Sequence, residues 1–263
     1  MQGKFSMTDE EYFSHPYLSN SGIGKILKSI NHFIKPEKKE TKSMDIGKLF
    51  HLMILEPHKF ESSFVVKPEI DSRTKEFKEW KASQVGKIII EKDDLSLLNE
   101  MKLSLLNHSK AKNILWAGES ESVYLSQYRG VGLKAKIDHI NKGVLFDLKT
   151  SRDASKDGFT RSIGTYHYYR QASHYLTVAK NCGIEASAFC FVVVENCHPF
   201  NTSDFLLTED ALDIGFKEMD KGIDKWLQYQ NASEEMKKKL VGYSDEFETI
   251  SAPNWSFYNA GEI

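Results

Sequence analysis

The sequence predicts an α/β fold: a mixed central sheet, made of an antiparallel meander and a crossover strand, flanked by helices. Three observations carry that expectation. From Glu119 onward apolar residues alternate with period two through "ESESVYLSQY", "GVGLKAKIDHI" and "VLFDLKTS", with an Asn141-Lys142-Gly143 turn before the last; alternation at this period is the mark of half-buried strands joined by turns. The period then becomes helical in "GTYHYYRQASHYLTVAKNCG", where Tyr168, Ala172, Tyr175, Leu176 and Ala179 share a face and Gly183 stands as a C-terminal stop. "EASAFCFVVVEN" follows as an unbroken apolar run, the pattern of a strand covered on both faces, and strand–helix–strand order implies a crossover.

The other elements read as follows. Residues 18–35, "LSNSGIGKILKSINHFIK", begin with Ser19, Asn20 and Ser21 as candidate caps and repeat Ile23, Ile26, Leu27, Ile30 and Phe33 at helical spacing. Pro36 and the charged run "KPEKKETKS" interrupt, and "MDIGKLFHLMILEP" is a second helical pattern ending before Pro57. Residues 66–115, rich in Lys and Glu, fit solvent-faced helices. After Pro199, "FNTSDFLLTEDALDIGFKEMDKGIDKWLQYQ" reads as a final strand and a long amphipathic helix, and "SDEFETISAPNW" as an extended tail. The organisation expected is one domain over 1–263, with an N-terminal helical region to about 115 and a core over about 119–200.

Composition is that of an ordinary globular chain: 263 residues, 40% hydrophobic, 12% aromatic and 27% charged, which excludes wholesale disorder or collagen-like structure. No apolar stretch approaches membrane-spanning length, and the polar start "MQGKFSMTDEEYF" lacks a signal-peptide apolar region, so a cytoplasmic protein without membrane association is expected. Cys182, Cys190 and Cys197 are three in number and lack CxxC spacing, so neither a disulfide framework nor an iron-sulfur cluster or structural zinc is expected. A net charge of -2 argues against indiscriminate polyanion binding and leaves room for a local basic lining.

The chemistry gathers in "KIDHINKGVLFDLKT". Alternation puts Asp147 and Lys149 on one strand face while Phe146 and Leu148 point into the core. Asp138 lies across the turn, where pairing brings its carboxylate toward Asp147, and two bare acids repel unless a cation lies between them. A hard divalent cation and a lysine beside it suit phosphodiester hydrolysis. Taken alone, the same three residues also fit solvated sheet ends with a lysine paired to an acid. Their company is Gln171 and Tyr175, four apart on one helical face, and His51 in an apolar helix after Gly47.

With these residues in order, "MDIGKLFHLMILEP", "KIDHI", "FDLKT" and "QASHY" resemble the GxxxH, D, DxK and QxxxY motifs of the PDDEXK nuclease superfamily in its RecB-like branch. The chain is most similar to RecE-type (exonuclease VIII-like) exonucleases, through "YLSNSGIGKILKSINHF", "VVVENCHPF" and "APNW" as well. The resemblance implies a restriction-endonuclease-like core, with His51, Asp138, Asp147 and the Leu148 carbonyl as metal ligands and Lys149 as the catalytic lysine. By the same resemblance Gln171 and Tyr175 would position that lysine or the DNA backbone. Lys134, Lys136 and Arg170 are candidate DNA contacts, and Glu119 and Glu121 candidate accessory acids. RecB-like relatives with an iron-sulfur cluster use four cysteines, which this chain does not match.

The activity so implied is Mg2+-dependent exonuclease digestion of double-stranded DNA from its ends, 5' to 3' by analogy, with Mn2+ as a substitute. Its product would serve a RecT-like single-strand annealing protein in phage-type recombination, and the family implies a ring-like homo-oligomer. A structure-specific or restriction-like endonuclease and a non-catalytic DNA-binding module of the same fold are the alternatives.

Overall fold

The computed structural model describes residues 1–37, 41–115, 117–244, 246–253 and 256. The chain opens with a short strand, β1 (Gly3–Phe5), and a helix, α1 (Asp9–Ser14), whose Thr8–Glu11 capping box satisfies its first N–H groups. The helical pattern expected over 18–35 divides into α2 (Asn20–Lys28) and α3 (Ile30–Ile34). Ser29 is the reason: it ends α2 in extended backbone and its side chain accepts from His32 N to start α3. The helix expected before Pro57 is α4 (Lys42–Leu55), capped by Thr41, and Pro57 opens α5 (Pro57–Ser63).

Between 64 and 115 the structure adds a small parallel pair absent from the sequence reading, β2 (Phe64–Val66) and β3 (Ile88–Ile90), with α6 (Lys75–Ser83) between them. Next come α7 (Lys92–Asn107) and α8 (Ser109–Leu115). These helices are not merely solvent-faced, since Leu98, Met101 and Leu105 are buried in the core.

The meander follows as expected: β4 (Glu119–Tyr128), β5 (Val131–Asn141) and β6 (Val144–Ser151). The crossover contains two helices, α9 (Lys156–Tyr166) and α10 (Tyr168–Asn181), separated by His167 at φ 53°. β7 (Ala188–Glu195) then runs parallel to β6, and β8 (Thr202–Leu206), α11 (Glu209–Asn231) and α12 (Glu234–Leu240) complete the fold. Residues 246–253 carry no helix or strand; Asp245, Asn254 and Trp255 of the predicted tail lie outside the described residues.

The main sheet has the order β1-β4-β5-β6-β7-β8, antiparallel except for β6–β7. One face is covered by α2, α10 and α11, through Ile23, Ile26, Ala172, Val178, Met219 and Ile223. The other is covered by α4 and α7, through Leu49, Phe50, Met53, Leu98 and Met101. β7 is buried on both faces, which is why its sequence is continuously apolar. Among the described residues no helix is long and apolar enough to cross a membrane.

Candidate active site

β5 and β6 pair only over His139–Asn141 against Val144–Phe146, and the sheet opens beyond that point. In the opening, the Leu148 N–H donates to Asp138 Oδ2 at 2.9 Å in place of a backbone acceptor. The Leu148 carbonyl points into the same gap and accepts from His51 Nε2 on α4. Asp138 thus stands where a ladder hydrogen bond has been given up, and its carboxylate satisfies a donor that would otherwise be orphaned.

Asp147 is 1% exposed. It accepts from Gln171 Nε2 on α10 and forms an ion pair with Lys149. The Lys149 ammonium lies 4.8 Å from the centre of the Tyr168 ring, a cation–π contact. Tyr175 lies one turn beyond Gln171 on α10, and burial holds its hydroxyl well above the ordinary tyrosine pKa. Burial opposes the charge on Lys149, yet Asp147 and Asp138 together keep its pKa above the usual lysine value. For Asp138, burial and then the Asp147 charge push the carboxyl upward.

Glu121 completes the group. The β4–β5 register passes from Ser120↔His139 to Ser122↔Ile137 with no ladder pair between, leaving Glu121 opposite Asp138. Glu121 sits at φ 53°, a left-handed conformation costing about 1–3 kcal/mol in a non-glycine residue. Its carboxyl is pushed up to about 7 by burial and by Asp138. Ligand atoms of His51, Glu121 and Asp138 all lie within 4.8 Å of one another.

The donor set fits a divalent cation. Burial, with Lys149 nearby, lowers the His51 pKa, which favours a neutral ring. Since its Nε2 donates to a carbonyl, its Nδ1 presents a lone pair to Asp138 Oδ2 at 3.5 Å. Two acceptors facing each other at that distance are reconciled by a cation between them. Asp147 Oδ1 is buried and its charge is met by the Lys149 ammonium.

The structure therefore brings together His51, Asp138, Asp147, the Leu148 carbonyl, Lys149, Gln171 and Tyr175, and joins Glu121 to them. Other candidates have different partners. Lys134 does not face a groove: it is 5% exposed, and its ammonium donates to the carbonyls of Tyr12 at 2.6 Å and His15 at 2.7 Å. Arg170 is buried against Glu218 and Asn20. Lys136 is held by Asp9 at 2.9 Å and Glu121 at 2.6 Å, with Glu56 at 3.7 Å. Glu119 is turned toward Lys4 at 2.9 Å and Tyr124, so of the two accessory acids only Glu121 enters the cluster. Tyr168 is a member that sequence reasoning took for packing; its spacing of three from Gln171 and seven from Tyr175 was the available signal.

Comparison with known proteins follows the same line. The family described as a PDDEXK-like domain of unknown function (DUF3799) matches residues 23–242. No curated protein matches the chain. Among solved structures, a candidate exonuclease from Eubacterium rectale superposes with a TM-score of 0.63 at 14% identity, covering 98% of this chain and 100% of its own. At that identity the likeness is one of fold.

Proposed function

The chain belongs to the family of PDDEXK-like domains designated DUF3799, and from that premise we propose that it is a divalent-metal-dependent nuclease acting on the ends of double-stranded DNA. The observation that carries this reading is the meeting of a histidine, three carboxylates and a lysine at the opening between β5 and β6. In this reading His51, Glu121 and Asp138 hold the cation. Asp147 and the Leu148 carbonyl supply further oxygens, the carbonyl by exchanging its His51 hydrogen bond. Bound there, Mg2+ or Mn2+ supplies Lewis-acid charge at the phosphate.

The protein's own groups do the rest. Lys149 places a positive charge beside the phosphate oxygens as negative charge accumulates in the transition state. Gln171 fixes Asp147, and Tyr168 and Asp147 fix the lysine between them. Water adds to phosphorus, the bond to the leaving sugar oxygen breaks, and that oxygen takes up a proton.

Digestion from an end is favoured by the resemblance to RecE-type exonucleases and by the name of the structural relative. The 5' to 3' direction, a role in phage-type recombination with a RecT-like annealing partner and a ring-like homo-oligomer rest on that resemblance alone. The deciding experiment incubates linear duplexes labelled at either the 5' or the 3' ends, alongside covalently closed circles, with and without Mg2+. Mg2+-dependent loss of the 5' label with intact circles is expected. Cut circles would make the protein an endonuclease, and no cleavage of any substrate would leave a non-catalytic module. Lys149→Ala should lower the rate per folded protein by about 100-fold or more and, by leaving the Asp147 charge without its partner, lower the melting temperature as well; full activity in that variant would remove Lys149 from the chemistry.

A further inference from the structure

A groove of about 340 Å³ opens between the end of β6, α9 and the start of α4; Ser43, Thr150, Arg152, Arg161, Tyr166 and Tyr168 are among its walls. We infer that this groove is a subsite for one unpaired nucleotide of the substrate strand, its base stacked on Tyr166 and its phosphate beside Arg152. The inference rests on the nuclease reading and adds to it the state of the DNA that is engaged.

Four features of the groove converge on that ligand. First, Tyr166 is 61% exposed although its ring is large and mostly apolar. It is the outer end of an aromatic series that runs inward to Tyr168, with centroids 5.5 Å apart and planes 31° apart, and then to Phe159, 5.9 Å from Tyr168. Tyr168 supports the ring, and most of the remainder is open to solvent. Second, Arg152 is exposed and forms no ion pair among the described residues, whereas Arg161, across the groove, is paired with Asp153 at 3.3 Å. An unpaired guanidinium is available to a phosphate.

Third, the groove shares the Tyr168 ring with the catalytic cluster. Thr150 follows Lys149 on β6, and the Tyr168 ring that supports Tyr166 also carries the Lys149 ammonium at 4.8 Å. A nucleotide lying here would adjoin the phosphate that Lys149 faces. Fourth, about 340 Å³ suits a single small ligand and cannot admit a duplex. A base can present its face to Tyr166 only when it is unstacked from its neighbours, which is how aromatic platforms select single strands without reading sequence.

The test measures binding of a labelled oligothymidine and of a covalently closed circular duplex in EDTA, by fluorescence anisotropy, for the full chain and its variants. Tyr166→Ala should weaken oligothymidine binding by about tenfold or more, as expected for one lost base–aromatic stack, and Tyr166→Phe should restore it. Arg152→Ala should weaken binding and reduce the slope of log affinity against log salt by about 0.7, the value for one single-strand phosphate. Both side chains are exposed, so melting temperatures should not move. Wild-type oligothymidine affinity in Tyr166→Ala and Arg152→Ala would overturn the subsite. So would an equal loss of binding to the closed circular duplex in Tyr166→Ala, because the groove would then not distinguish unpaired DNA. Mg2+-dependent digestion by the wild-type chain is scored separately, so failure of the nuclease reading and failure of the subsite give different results.

Discussion

At the scale of single residues, the site is assembled from groups that the fold holds against their own preference. Glu121 and Asp138 face each other across two strands, and the Glu121 carboxyl is raised to about 7 by burial and by Asp138. A carboxyl whose folded pKa lies above its unfolded value favours folding at low pH and opposes it once pH rises past the unfolded value. At pH 7 without metal, Glu121→Gln should therefore melt no lower than wild type, and be more stable by about 1–3 kcal/mol. Mg2+ or Mn2+ should raise the wild-type melting temperature and do much less for the variant. A metal-free variant less stable than wild type would count against this account. His174 shows the opposite sign. Buried, with Nε2 donating to the Lys134 carbonyl at 3.0 Å and Nδ1 without a partner, its pKa is pushed down to about 4. The unfolded chain takes up that proton first, so stability present above pH 6.5 should fall as pH drops, by about 3 kcal/mol at pH 4. Urea unfolding across that range should show a shallower pH dependence in His174→Gln.

At the scale of elements, much of the site depends on where regular structure stops. The ladder between β5 and β6 ends after three pairs, β4 breaks at Glu121, and His167 in a left-handed conformation separates α9 from α10. That last break sets Tyr166 and Tyr168 beside each other at the groove instead of leaving both on one continuous helix. Helix packing behind the site is close. A Cβ added at Gly215 on α11 would lie 2.2 Å from the Tyr169 carbonyl oxygen and 2.5 Å from Ser173 Oγ on α10. Gly215→Ala should consequently force α10 and α11 apart and cost about 1–3 kcal/mol, lowering the melting temperature by several degrees. Because α10 carries Gln171, a loss of nuclease rate larger than the loss of folded protein would show that the shift reaches the site. The meander was legible beforehand because strand alternation and the Asn141–Gly143 turn are written locally. The small β2–β3 pair was not, since three-residue strands have too few positions to show a period.

At the scale of the whole molecule, 35 Lys and Arg are balanced by 37 Asp and Glu, and several of the cations around the site are committed internally. Lys134 ties β5 to α1, Lys136 bridges Asp9 and Glu121, Arg170 joins α10 to α11 through Glu218, and Arg129 holds Asp220 and Asp224, each at 2.7 Å. Binding to duplex DNA should show a salt slope corresponding to fewer than about six phosphates per chain, measured by titration at several ionic strengths; a steeper slope would mean that an extended basic surface takes part. By itself the sequence determined the β4–β6 meander, the helix and buried strand of the crossover and the side-by-side placement of Asp147 and Lys149, because helical and strand periods are properties of neighbouring residues. Only the tertiary structure decided that Glu121 joins His51 and Asp138 while Glu119 turns away, and that Lys134 and Arg170 serve the scaffold. Those outcomes depend on one backbone angle in β4 and on segments more than a hundred residues apart meeting in space, neither of which leaves a local pattern to read.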